Sequence, residues 1–210
     1  MTQLGIISNE GFESVITEDA DGRVHFVADA DIDADGANGQ SGGPAAYKVD
    51  DSGTEYLANG GMKIKNGKVV CAYNWARSIV ILDDDNEPKV FPGGVIASMT
   101  WYRYPGKDID DPTAYVDSET IPYIVVPPLI IQKTKGIVRG CLARVTYNGQ
   151  SIDCVVADRG PSRTIGELSI AAAKAIGIPS SPRNGGLAQA AVLYELWPGI
   201  AAPGFVLQPA

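Results

Sequence analysis

Two alternating runs, GCLARVTY and QSIDCVVAD, are joined by Asn148-Gly149, and this feature constrains the fold more than any other. Asn-Gly between such runs is the strongest short hairpin signal, because both central residues of a type I′ turn need positive φ. A two-residue turn also fixes the register. Tyr147 pairs with Gln150, Arg144 lies opposite Asp153, and Ala143 lies opposite Cys154. Cys141, Ala143, Val145, Ile152, Cys154 and Val156 then share one apolar face that must point into a core. By the same alternation Asp158 continues that face at the mouth of the core, where partial desolvation would raise its pKa. The cysteines fit as small core residues, and three of them without metal-type spacing argue against a disulfide framework or a zinc site.

The rest of the chain repeats this style. With 24 Gly and 14 Pro among 210 residues it is rich in turns, which favours a β-rich fold. A second hairpin is expected around Asn66-Gly67 in KIKNGKVVCAY. Strands are expected in RVHFVADADIDADG, ARSIVILDDDNEPKVFPGG, VIASMTWYRY, IPYIVVPPLII and AQAAVLYELWPGI, while GQSGGPAAYKVDDSGTEYLANGG reads as loop. One helix is expected, starting at the N-cap Ser169 and stopping at Gly177 before Pro179. The expectation is a mainly β chain: a lead-in over residues 1–22, then a single β-barrel domain over 23–210 with extra strands and one or two short helices.

Charge narrows the function. The net charge of −8 repels nucleic acid and anionic lipid and attracts cationic ligands. No apolar run approaches the ~20 residues of a membrane helix, and the N-terminus lacks the basic and apolar regions of a signal peptide. A soluble monomer is expected. Action on an extracellular polymer would need another delivery route, such as a phage-type or co-delivered one.

Chemistry concentrates in VVADRGPSRTIGELSIAAAKAIGIP. Asp158 ends an apolar run, and Glu167 follows nine residues later beyond a Gly-Pro turn. If Ile165-Gly166-Glu167 folds back beside the preceding strand, both carboxyls face one cleft. Such a pair, with separated pKa values, suits glycoside hydrolysis: one carboxyl protonates the leaving oxygen and the other activates water or attacks. Two solvated acids beside a turn would have the same spacing, as would a Glu favoured by the positive end of the following helix.

This stretch resembles the active-site region of glycoside hydrolase family 75, the fungal-type chitosanases: an Asp, a short Gly/Pro loop, and an Ile-Gly-Glu motif before a helix. DADIDADG, SETIPYIVVPP and VLYELWPGI resemble other segments of that family, and the likeness covers about residues 24 to 200. It implies inverting endo-hydrolysis of chitosan, with Asp158 and Glu167 at the essential acidic positions. ADRGP and LSIAAAKAIG also resemble the double-psi barrels of rare lipoprotein A-type septal proteins and lytic transglycosylases, which implies a six-stranded double-psi-type barrel. ADRGPSR is more like those barrels than like the usual chitosanase loop.

Asp29, Asp31, Asp33 and Asp35 alternate, so in extended structure all four would face one side. DIDADG matches the first half of an EF-hand loop, but Gly42 stands where the later Glu belongs and a strand precedes it. No metal is therefore expected. The resemblance favours a polycationic glucosamine chain as the partner of these acids, and a solvated acidic loop is the alternative. Trp75, Trp101, Tyr102 and Tyr104 could stack on pyranose rings, with Trp101 and Tyr102 taken as substrate-binding; core packing is the competing role. His25 is read as structural, and no phosphate- or dinucleotide-binding fingerprint is present.

These readings lead to an inverting, cofactor-free endo-glycosidase acting on a glucosamine-containing polysaccharide, with Glu167 as general acid and Asp158 as general base, or the reverse. The alternatives are a peptidoglycan lytic transglycosylase that uses a single acid, and a non-catalytic wall-binding or phage structural module.

Overall fold

The structure is a computed structural model that describes residues 1–9 and 11–209. β1 (Thr2–Asn9) and β2 (Phe12–Glu18) form a hairpin, and β2 pairs with β3 (Val24–Asp33). A long excursion then carries β4 (Tyr47–Lys48), the hairpin of β5 (Met62–Lys65) and β6 (Lys68–Cys71), β7 (Val90–Phe91) and β8 (Val95–Ile96). The chain returns through β9 (Tyr123–Val126), α1 (Pro128–Lys133), β10 (Cys141–Tyr147) and β11 (Gln150–Arg159). It ends with β12 (Glu167–Ser169), α2 (Ile170–Ala175) and β13 (Leu187–Ala201).

Six of these strands close a barrel in the order β3-β12-β9-β11-β10-β13, and β13 pairs back onto β3. Two neighbouring pairs, β3 with β12 and β9 with β11, are parallel. β1 and β2 are bonded outside the ring, so the expected lead-in is an ordered hairpin docked on β3.

The barrel fills by alternation. Phe26, Ala28 and Ala30 of β3, Ile124 and Val126 of β9, Cys154 and Val156 of β11, and Leu168 of β12 all enter one buried cluster. Tyr194 of β13 stacks on Phe26 inside it, with ring centroids 4.9 Å apart. The Asn148-Gly149 hairpin has the expected register, Tyr147 to Gln150 and Ala143 to Cys154. Its predicted apolar face is in this core. The helix begins where expected, because the Ser169 hydroxyl caps it by accepting from the Ala172 N–H at 3.1 Å.

Three segments differ from expectation. ARSIVILDDD makes a 3₁₀ turn at Asn74–Ser78 and then only the isolated bridges Val80–Ser98 and Leu82–Pro88. VIASMTWYRY is a strand only at Val95–Ile96. Both runs cross neighbours briefly and have no long partner to pair with. The PPLII part of the third run is helix, because Pro128 sits at the first helical position, where its fixed φ is suitable and its missing N–H is not needed.

Candidate active site

The excursion packs on the outside of the barrel, and the acids are on that outer face. Ala28 and Ala30 of β3 point inward, so Asp31 and Asp33 point outward, and Asp35 follows in the turn after the strand. β12 runs parallel to β3 with Glu167 opposite Asp31 and Ser169 opposite Asp33. Leu168 is inside, which turns Glu167 outward beside Asp31.

Simple alternation would have carried Asp158 inward with Cys154 and Val156. The structure corrects this. The β9–β11 register shifts between Val156 and Asp158, so Ala157 is an extra residue and Asp158 lies opposite Val125. Val125 belongs to the outer-face cluster with Tyr123, Val155 and Ala157. The bulge therefore aims Asp158 out of the barrel and into the space under the excursion. β9 also separates the two predicted partners: Glu167 is on β12 and Asp158 on β11, so Glu167 does not fold back directly beside Asp158's strand. With adjacent strands ~4.8 Å apart, the two backbones are roughly 10 Å apart. Glu167 leans across this gap: a Cβ placed on Gly160 would lie 2.6 Å from its Oε2. Only glycine leaves room there for the carboxyl.

The result is a cleft of about 810 Å³. Asp31, Asp33, Asp35, Asp158 and Glu167 line its barrel side, while Tyr47, Glu55, Asn59, Trp75 and Ile79 come from the excursion. Arg183 lines it as well, donates to the carbonyls of Asp51, Gly53 and Glu55, and stacks over the Tyr56 ring at 3.9 Å. That ties the loop before β13 to the loop that carries Glu55.

Buried hydroxyls hold the acidic strand ends. Ser118 donates to the Asp33 carbonyl and accepts from the Ile170 N–H, and Tyr123 donates to the Asp35 carbonyl at 2.9 Å. The Asp33 carboxylate accepts from the Asp35 N–H at 2.8 Å. Asp158 Oδ1 accepts from the N–H groups of Trp101 (3.1 Å) and Arg159 (2.6 Å). Glu55 accepts from the Tyr56 N–H and from Asn59.

Desolvation pushes Glu167, Glu55, Asp33, Asp35 and Asp158 up. Glu167 rises to about 8, through burial and then the charges of Asp33, Asp31 and Asp29. Glu55 rises to about 7 and Asp33 to about 6, in each case chiefly by burial. Burial and neighbouring carboxylates hold Asp35 and Asp158 well above the usual carboxylate range. Ligand oxygens of Asp33, Asp35 and Asp158 lie within 4.8 Å of one another, and Asp35 Oδ1 is buried without a hydrogen-bond partner among the described residues. Carboxyls this close share protons or chelate a small cation.

Asp31, Asp33, Asp35, Asp158 and Glu167 thus come together as expected. Three other expected residues do not join them. Asp29 is only 2% exposed and packs against Gly166, whose φ is +104° and where an added Cβ would lie 2.1 Å from Asp29 Oδ1, so only glycine fits. Tyr102 is 1% exposed and packs edge-on against Tyr104 and Phe205, so it is core. Trp101 supplies a backbone N–H to Asp158, while its ring lies under the Arg139 guanidinium and borders a separate hollow. Sequence reasoning missed Glu55, Asn59 and Arg183. They are in loop-rich segments, where no periodicity marks a facing wall.

No protein-family model matches this chain. No curated protein matches it either. Among the described residues no helix is long and apolar enough to cross a membrane.

Proposed function

We propose that the chain is a glycoside hydrolase that cuts β-1,4 links in a glucosamine-containing polysaccharide by an inverting, two-carboxylate mechanism. One observation carries this reading. Glu167 and Asp158 open into the same cleft from strands separated by a single strand, with Gly160 leaving room for the Glu167 carboxyl between them. Direct displacement by water needs roughly 6.5–9.5 Å between the two carboxyls, and backbones roughly 10 Å apart leave room for that arrangement. The closed six-stranded ring with two parallel neighbouring pairs also supports the double-psi-type reading.

The roles follow from the proton inventory. Glu167, raised to about 8, holds its proton at neutral pH and donates it to the leaving glycosidic oxygen. Burial and then the Asp33 charge hold the Asp158 carboxyl well above the usual carboxylate range, so one negative charge beside these two carboxyls is more stable than two. The two backbone N–H donors on Asp158 stabilise that charge where it can take a proton from the attacking water. Asp31 and Glu55 add negative potential to the walls, which draws in a chain of ammonium groups.

Turnover should then follow a bell-shaped pH profile. The acid limb marks ionisation of the carboxyls around the base, with Asp33 raised to about 6 and Asp158 held well above the usual carboxylate range, and the alkaline limb marks loss of the Glu167 proton, raised to about 8. The deciding experiment measures reducing-end release from chitosan and from peptidoglycan across pH 4 to 10. Release from chitosan with a two-sided profile supports the proposal. Reaction on peptidoglycan alone, needing only one protonated acid, would assign a lytic transglycosylase. Release from neither would leave a non-catalytic module.

A further inference from the structure

The cleft contains one aromatic ring that packing does not explain. Of the aromatic side chains weighed from the sequence, Tyr102 is fully buried, Tyr104 packs against the Tyr102 cluster, and Trp101 packs on the barrel core under Arg139. Trp75 is different. It is 49% exposed, belongs to none of the buried apolar clusters, and lines the cleft on the wall contributed by the excursion. Tyr73, 60% exposed, lies parallel to it, with an interplanar angle of 6° and ring centroids 5.8 Å apart.

These rings are exposed but held in place. Trp75 sits in the 3₁₀ turn Asn74–Ser78, and the Ser78 hydroxyl donates to the Trp75 carbonyl at 2.7 Å. The six-membered end of the indole rests on the backbone at Gly61, where a Cβ would lie 2.7 Å from Cη2 and 2.9 Å from the Ala76 methyl. Gly61 also has φ of +71°, so only glycine serves both the turn and the contact. A ring fixed at one edge by Gly61, stacked against Tyr73 and still half exposed, is pre-organised for a flat apolar partner, since little side-chain entropy remains to be lost on binding.

The surroundings identify that partner. The barrel side of the same cleft carries Asp31, Asp33, Asp35 and Glu167, and the excursion adds Glu55 and Asn59 to its lining. A purely apolar ligand would shield the acidic wall from water without meeting its charge, and a purely ionic one would leave the indole bare. A pyranose ring has an apolar C–H face for the indole and an equatorial rim of hydroxyl or ammonium groups for the acids. We infer that Trp75, backed by the stacked Tyr73 ring, is a stacking subsite for a pyranose unit of the polymer, in the same cleft as the carboxyl pair and outside the bond-breaking position. This rests on the glycosidase reading above and adds to it the residues that grip the chain.

Neither ring carries a group that can transfer a proton at neutral pH, so they should act on binding more than on chemistry. Removing uniform binding raises KM and leaves kcat nearly unchanged. The test measures binding of glucosamine oligomers to Glu167→Gln, which retains the cleft but cannot turn over, by calorimetry and tryptophan fluorescence. The same measurement is made in that background with Trp75→Ala, Trp75→Phe and Tyr73→Ala, and melting temperatures check the fold. The expected result is about a tenfold loss of affinity for Trp75→Ala, partial recovery with Phe, and a smaller loss for Tyr73→Ala. Tyr73 is mostly exposed, so its variant tests the surface even if removing Trp75 loosens the Gly61 contact. Oligomer binding that is equal in all four proteins overturns the stacking subsite and leaves the carboxyl mechanism standing. If no amino-sugar oligomer binds to Glu167→Gln and the wild type hydrolyses none, both readings fall together.

Discussion

Glu167 and Leu168 are consecutive residues of one three-residue strand, yet they belong to different regimes. Leu168 is fully buried inside the barrel, among Ile124, Val156 and Tyr194. Glu167 points the other way, into a cleft where burial and other acids raise its carboxyl to about 8. The inner face gains stability from every methylene it removes from water. The outer face loses stability with each charge it shields. One strand pattern therefore builds both the core and an acid-lined cleft, and the cleft is destabilising because the excursion over residues 34–122 covers it. Asp158 needs one more device, the bulge at Ala157, to join the outer regime.

Mutations on the two faces should separate these regimes. The largest effect is on chemistry: Glu167→Gln and Asp158→Asn should each lower turnover at least ~100-fold with the circular dichroism spectrum unchanged. Either variant retaining a tenth of wild-type activity would remove the paired carboxyls from the mechanism. Next comes the inner face. Leu168→Ala should cost about 2–5 kcal/mol in urea unfolding, because the barrel interior cannot collapse around the void.

The third effect has a definite sign. Glu167, Glu55 and Asp33 have folded pKa values above those of the unfolded chain, at about 8, 7 and 6. The folded state therefore binds more protons, and their contribution is fully present only below pH ~4. It is lost as pH rises through about 6 to 8, so the melting temperature should fall over that range. Glu167→Gln removes the largest of these three costs. It should match wild type near pH 5 and exceed it by on the order of 1–3 kcal/mol near pH 9. A melting temperature that climbs from pH 5 to 8 would mean the cleft carboxyls are not desolvated as described.

Smaller effects concern what the acids attract. Because the protein carries a net charge of −8 and the cleft concentrates it, kcat/KM on chitosan should fall severalfold as salt shortens the Debye length from ~30 to ~8 Å. Asp33→Asn with Asp35→Asn should weaken glucosamine oligomers more than N-acetylated ones. The smallest expected effect is that of a chelator, which should leave activity and melting temperature unchanged. Loss of either, restored by calcium, would make Asp33, Asp35 and Asp158 a cation site.

The parts of this arrangement that were legible in the sequence are those set by local chemistry. Asn148-Gly149 dictates a turn, the turn dictates register, and the Ser169 hydroxyl starts α2. The grouping of Asp31 with Asp33 follows from strand period alone. The unread parts depend on nonlocal partners. The direction of Asp158 depends on one extra residue measured against β9, which no property of VVAD reveals. Asp29 shares the alternation of its neighbours but is sealed off by Gly166, which arrives from a segment far along the chain. Glu55 enters the cleft only because the excursion folds over the barrel. Tyr102, in an apparent aromatic run, is captured by Phe205.

The central claim is direct attack by water between Glu167 and Asp158, and the stereochemistry of the first product tests it most directly. Proton NMR should follow a β-1,4 glucosamine oligomer from the moment of mixing, before mutarotation scrambles the new reducing end. The account predicts that the α-anomer appears first, inverted from the β-link. Initial release of the β-anomer would mean that a carboxylate attacks the sugar, and would contradict it.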